Sequence, residues 1–151
     1  MYILNSVEYE AHRFQGVSSD VVNALVDALL VGLDDYTIDE RGDVGSWVRI
    51  ACIQGLAAIS ELLLSILVTD DASIPTLELY FPPEKYHAIA AGLLKQGVER
   101  LDNVRQEAGI YFMKLLKMPL PPVGGMDRWR LHGLSLLNDL FLRCVTPSVK
   151  I

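Results

Sequence analysis

Asp34-Asp35-Tyr36-Thr37-Ile38-Asp39-Glu40-Arg41-Gly42-Asp43-Val44-Gly45-Ser46-Trp47-Val48-Arg49-Ile50-Ala51-Cys52 is a charged loop that turns abruptly into the most apolar segment of the chain. Asp34, Asp35, Asp39, Glu40 and Asp43 place five carboxylates within ten residues, with Arg41 and Arg49 as the nearby cations. Gly42 tolerates the positive φ that other residues resist. Asp43 follows it and is placed to cap a helix by accepting from an unpaired N–H of the first turn, typically worth ~1 kcal/mol. A loop that ends in a cap and opens onto a long apolar run sets a corner between two helices.

The run beyond the corner predicts one long helix from Asp43 to about Val68. Trp47, Val48, Ala51, Cys52, Leu56, Ile59, Leu63 and Ile66 make a continuous stripe at helical spacing, and Ile50, Ile53, Leu62 and Leu64 fall off it. A helix apolar nearly all round is either buried or crosses a membrane. Arg49, Gln54, Ser60, Glu61 and Ser65 interrupt the run before it reaches the length a membrane span needs, which favours a central layer of a helical stack and no membrane insertion. Trp47 is expected in the core against the preceding helix; the competing reading makes it an interface anchor, a role in which Trp is enriched.

Before the corner, Val17 to Leu33 predicts a helix with Ser18, Ser19 or Asp20 as its cap, and Val21, Val22, Leu25, Val26, Leu29 and Leu30 on one face. Met1 to Gly16 is ambiguous, with three aromatics suited to packing on a neighbour. After the long helix, Thr69 to Pro83 predicts a connection carrying Asp70, Asp71, Pro75 and the pair Pro82-Pro83, anchored by Tyr80 and Phe81. Glu84 to about Glu99 and Leu101 to Lys117 predict two helices, with Ile89, Leu93 and Leu94 facing inward on the first. The break between them is short, so they should pack as an antiparallel hairpin. Met118-Pro119-Leu120-Pro121-Pro122-Val123-Gly124-Gly125 is a linker that cannot be helical. Asp127 should then cap a last helix to about Val145, with Leu131, Leu134, Leu137, Leu140 and Phe141 on its apolar face. Thr146 to Ile151 is expected to fray. The organisation expected is a single domain, 1–151, with its core at 17–117, a linker at 118–125 and a last helical stretch at 126–145.

An internal repeat supports a stack of helix pairs. Val48-Arg49-Ile50-Ala51-Cys52 corresponds to Val104-Arg105-Gln106-Glu107-Ala108, each near the start of the second helix of a pair. Asp43 lies upstream of the first and Asp102 of the second. The form acid–Val–Arg–x–x–small suits a ladder in which Val enters the core, the small residue allows close helix approach and Arg reaches back to a carboxylate in the turn. The two copies lie 56 residues apart, longer than the usual HEAT period, and the 69–83 connection can absorb the excess. The fold expected is all-α, a HEAT- or armadillo-like helical repeat (α-solenoid) of about five to six helices.

Composition narrows the function classes. The 151 residues carry a net charge of −6, with 51% apolar residues, and the pI is near 4.9 with a mean hydropathy of +0.29. An acidic chain is disfavoured as a nucleic-acid binder, which needs basic surface to neutralise phosphates. The high hydropathy suggests a fragment whose faces pack on neighbouring repeats. Cys52 and Cys144 fit no zinc or C-x-x-C spacing and suit a reducing compartment. No basic–apolar leader opens the chain, so no signal peptide is expected.

None of the familiar site motifs is complete in this sequence. With Asp35 as first ligand of a calcium loop, Thr37 and Asp39 fit, but Glu40 stands where Gly is required and Ser46 where Glu is required. Arg41-Gly42-Asp43 fits a loop-to-cap transition better than an integrin motif in an acidic, cysteine-poor chain. His12, His87 and His132 are scattered, with no H-E-x-x-H, no G-x-S-x-G and no G-x-x-x-x-G-K-[ST]. No nucleophile, base and oxyanion donor assemble, so no enzyme, cofactor or metal is expected.

The run Asp34-Asp35-Tyr36-Thr37, Asp39, Arg41-Gly42-Asp43-Val44-Gly45 and Trp47-Val48-Arg49 resembles the C-terminal region of the tubulin-folding cofactor D family of tubulin-specific chaperones. The resemblance is strongest over Val21 to Leu67 and weaker over Tyr86 to Leu116. It implies a noncatalytic scaffold that binds β-tubulin and helps assemble or dismantle the α/β heterodimer. It further implies cofactors C and E and an Arf-like small GTPase as partners, and a cytoplasmic place at the microtubule cytoskeleton. The family complex stimulates GTP hydrolysis at tubulin's own site. Asp34, Asp35, Tyr36, Asp39, Arg41, Asp43 and Trp47 are the candidate partner-binding residues; Asp43, Arg49, Asp102 and Arg105 are the candidate ladder and cap. The alternative is a generic helical-repeat scaffold in another cytosolic complex, such as a trafficking adaptor.

Overall fold

The computed structural model describes residues 17–68 and 73–142, the last two by backbone alone. The expectations for Met1–Gly16, Asp70, Asp71, Cys144, the Phe141 side chain, the end of the last helix near Val145 and the tail from Thr146 lie outside what is described.

The described residues are all-α apart from one minimal hairpin. Its order is α1 (Ser19–Gly32), β1 (Ile38–Asp39), β2 (Gly42–Asp43), α2 (Gly45–Ile66), α3 (Ile74–Tyr80), α4 (Pro83–Gln96), α5 (Asp102–Lys117), a 3-10 turn (Met126–Trp129) and α6 (Leu134–Leu142). Helix α1 packs on α2, α4 packs on α5, and α2 lies against α5, so two helix pairs stack through their second members. This is a helical-repeat arrangement, with one apolar core running through both pairs.

Each helix starts where local chemistry allows. Ser18 caps α1 by accepting from the Val21 N–H at 3.4 Å. Only Val22 and Val26 of the expected α1 face are buried; Val21 and Leu25 are exposed, because α1 meets its neighbours along one narrow side. The stripe on α2 also turns. Its buried residues include Arg49, Cys52, Ile53, Leu56, Ala57, Ser60, Leu63 and Leu64. Ile53 and Leu64 therefore lie inside, whereas Trp47, Val48 and Ala51 lie outside. The cause is Arg49, a charged residue that occupies an inward position.

The 69–83 connection holds a helix of its own, α3. Pro75 sits in its first turn, where a fixed φ and a missing N–H do no harm. Leu77 and Phe81 are fully buried, so this segment is pinned to the core. Pro83 likewise begins α4 rather than ending the connection. In α4, Tyr86, Ile89 and Leu93 are buried and Leu94 is half-buried.

The last helix does not run continuously from Arg128. Asp127 lies inside the 3-10 turn, and Gly133 takes a φ of +70° before α6 begins. Trp129 is fully buried and donates its indole N–H to the Phe81 carbonyl at 2.9 Å. That bond ties the 3-10 turn to the end of α3, and Gly133 separates that turn from the helix that begins at Leu134.

Candidate functional site

The corner between α1 and α2 is built by its own carboxylates. Asp35 Oδ1 accepts from the Thr37 N–H at 3.0 Å, and Asp39 Oδ1 accepts from the Arg41 N–H at 2.8 Å. Both are side-chain turns of the kind Asp makes readily. Ile38 then pairs with Asp43 and Asp39 with Gly42, leaving Glu40 and Arg41 at the tip. Gly42 adopts a φ of +106° there. Asp43 accepts from the Ser46 N–H at 2.9 Å, and Ser46 Oγ donates back to the Asp43 carbonyl at 2.6 Å. The helix itself begins at Gly45, two residues after the capping side chain. Gly45 lies against the Asp35 backbone, where a Cβ would collide with the carbonyl.

Arg49 closes this loop from beneath. Its Nη2 meets Asp43 Oδ2 at 2.9 Å, and its Nη1 donates to the Asp35 carbonyl at 2.5 Å. The Tyr36 ring covers the guanidinium, 4.4 Å from centroid to Cζ. Arg49 is 0% exposed, and its Nε–H is buried with no partner among the described residues. Burial opposes its charge, and Asp43 more than offsets that, so its pKa is raised.

The carboxyls answer in kind. The hydrogen bond from Arg49 holds Asp43 below the usual carboxylate range; Thr37 does the same for Asp35, and Arg41 for Asp39. A carboxyl whose pKa is depressed on folding contributes stability above its unfolded pKa. That contribution is lost as pH falls through the folded value. The corner is therefore fastened at neutral pH and loosens in acid.

The corner is also tied to the second helix pair. Lys95 reaches Asp34 at 2.5 Å, which raises the Lys95 pKa. Buried Gln96 donates to the Leu33 carbonyl at 2.8 Å. The Tyr36 hydroxyl donates to Glu99 Oε1 at 2.7 Å, and the Glu99 carbonyl accepts from Arg105 Nη1 at 2.9 Å. Arg105 also pairs with Asp102. Glu99 thus joins the two corners. Lys95, Gln96 and Glu99 carry no motif in the sequence and lie some sixty residues from their partners, so spacing could not reveal them.

Trp47 is a correction. It is 61% exposed rather than core, and the Arg41 guanidinium lies 5.7 Å from its ring centroid. Arg41 is held in place by Asp39, at 2.6 Å. Ile38 is exposed at the same tip. Among the described residues, no group of three or more His, Cys, Asp or Glu is placed to hold a metal ion.

Stacked helix pairs with an exposed aromatic and charged corner define a helical-repeat scaffold of the kind that presents surfaces to other proteins. Residues 87–149 match the family model described as Tubulin folding cofactor D C terminal. That stretch is similar to the C-terminal region of the tubulin folding cofactor D family. The match starts within α4, so the corner at 34–49 lies ahead of it. No solved structure matches the chain.

Proposed function

We propose that this chain is a noncatalytic scaffold region of a tubulin-folding cofactor. It binds β-tubulin and helps assemble or dismantle the α/β heterodimer. It works with cofactors C and E and an Arf-like small GTPase, in the cytoplasm at the microtubule cytoskeleton. Any stimulation of GTP hydrolysis acts through tubulin's own site. The chain serves as one domain across its length.

The family match carries this reading. The contact surface is the corner formed by Asp34, Asp35, Tyr36, Asp39, Arg41, Asp43 and Trp47. Within it the roles divide. Asp35 and Asp43 hold the fold through Thr37, Ser46 and Arg49. Trp47 and Arg41, exposed and stacked, are the residues free to meet a partner.

Trp47→Ala tests this in a pull-down and titration with β-tubulin. Loss of a Trp anchor at the centre of an interface costs at least ~2 kcal/mol, or roughly thirtyfold in affinity. The melting temperature should stay that of the parent, because Trp47 packs on little else. Equal binding by the variant removes this corner as the contact. Failure of the parent to bind β-tubulin favours the generic scaffold.

A further inference from the structure

A groove of about 580 Å³ runs between α2 and α5, the second helices of the two pairs. Ala57 and Ala58 form its α2 side, and Tyr111, Leu115 and Met118 line the α5 side. The alanines are too small to fill the space that Tyr111 and Met118 hold open. A hydrogen bond of 3.0 Å from Gln54 to Glu107 lies at the upper end, and Pro119 marks the end of α5 at the other. Its volume falls in the range that takes a ligand or a large side chain, ~300–1,000 Å³.

The rim has an unusual charge pattern among the described residues. Lys114 and Lys117 stand one turn apart on the α5 wall, both exposed. Neither has a carboxylate partner among the described residues. Every other described cation except Arg100 is committed to an ion pair. Lys114 instead rests over the Tyr111 ring, 5.1 Å from its centroid. The facing α2 wall contributes one carboxylate, Glu61. Two uncommitted lysines beside an apolar trough, in a chain of net charge −6, form a local reversal of sign.

We infer that this groove docks an acidic peptide segment of a partner protein, with one aromatic or large aliphatic side chain seated over Ala57, Ala58 and Leu115 and flanking carboxylates on Lys114 and Lys117. The floor supplies apolar contact and the lysines supply orientation. Glu61 repels acid from the opposite wall and so biases the segment's carboxylates toward the α5 lysines. This site is separate from the 34–49 corner.

The test uses the full 151-residue chain and a fluorescein-labelled peptide, Glu-Glu-Trp-Glu-Glu, in fluorescence polarisation. Glu-Glu-Ser-Glu-Glu and Lys-Lys-Trp-Lys-Lys serve as controls. The acidic Trp peptide should bind saturably and lose affinity as salt rises. Reversing both lysines, Lys114→Glu with Lys117→Glu, should weaken it about tenfold. Ala58→Trp, which fills the trough without touching the charges, should weaken it comparably, and Glu61→Lys should tighten it. All three changes are at exposed positions, and a melting temperature equal to the parent's certifies the fold. No saturable binding by the parent overturns the inference. So does equal binding of the Ser peptide, or binding that Ala58→Trp leaves unchanged, since either means attraction by charge alone.

Discussion

The two corners of the molecule carry the same short string and use it differently. At the α1–α2 corner, Arg49 is 0% exposed and Val48 is 42% exposed. At the α4–α5 corner, Val104 is 0% exposed and the Arg105 side chain is 48% exposed. Adjacent helical residues lie about 100° apart around the axis, so a small turn of the helix exchanges their places. The first corner has a twelve-residue connection, 33–44, that supplies a carboxylate, a carbonyl and an aromatic face to a buried guanidinium. The second is a tight turn, and only Asp102 and two backbone carbonyls meet its arginine. A Val-Arg pair at the head of a helix thus does not fix which of the two goes inward. The loop that precedes it decides.

Arg49→Ala should have the largest effect. It leaves Asp43 Oδ2 and the Asp35 carbonyl without their donor in a partly buried corner, while Asp43 Oδ1 keeps the Ser46 N–H. Breaking a buried pair in this way costs ~3–5 kcal/mol. For a chain of this size that lowers the melting temperature by about 10 °C. Arg49→Lys should recover little of it, because an ammonium cannot bridge a carboxylate and a carbonyl in one plane. Thermal unfolding followed by circular dichroism gives the answer. A fall of under about 3 °C would mean that the buried guanidinium does not fasten the corner.

Val104→Ala against Val48→Ala sharpens the contrast from the apolar side. Val104, near the start of α5, is fully buried in the core, so its truncation should cost about 2 kcal/mol. Val48 keeps nearly half its surface in water, and its truncation should cost under ~0.5 kcal/mol. Chemical denaturation of the two variants measures both. Equal losses would show that the two helices present the same side to the core and that the contrast is not real.

The helices were legible because their apolar spacing is strong and because Ser18, Asp43 and the Pro-Gly linker punctuate them. Phase was not legible on α2. Its residues are apolar nearly all round, so Trp47, Val48 and Ala51 fit a stripe as well as Ile53 and Leu64 did, and only the partners of Arg49 select between them. Helix α3 was hidden because Pro75 and the Pro82-Pro83 pair suggest a connection, although Pro is at home in a first helical turn. Trp129 gave no signal at all: its indole bonds a backbone carbonyl 48 residues away, and no side-chain pattern marks a carbonyl. Within the corner, the acids and their arginines could be paired on proximity. The ties from Lys95, Gln96 and Glu99 arise from stacking and exist only in three dimensions.

Arg105→Ala should have the smallest effect. Its partner Asp102 is 88% exposed, and water replaces such a pair at a cost of under ~1 kcal/mol. Its bond to the Glu99 carbonyl is the more interesting one, because the Glu99 side chain holds the Tyr36 hydroxyl over Arg49. If Arg105 merely decorates the surface, Arg105→Ala and Tyr36→Phe should add without interaction. If it steadies the turn that presents Glu99, the double variant should lose less than the sum, with a coupling of ~0.5 kcal/mol or more in a double-mutant cycle. The shared Glu99 favours coupling, since removing either side leaves the other less to hold. Additive losses would mean that Arg105 does not steady Glu99, and that the first corner draws on Lys95, Gln96 and Glu99 without help from Arg105.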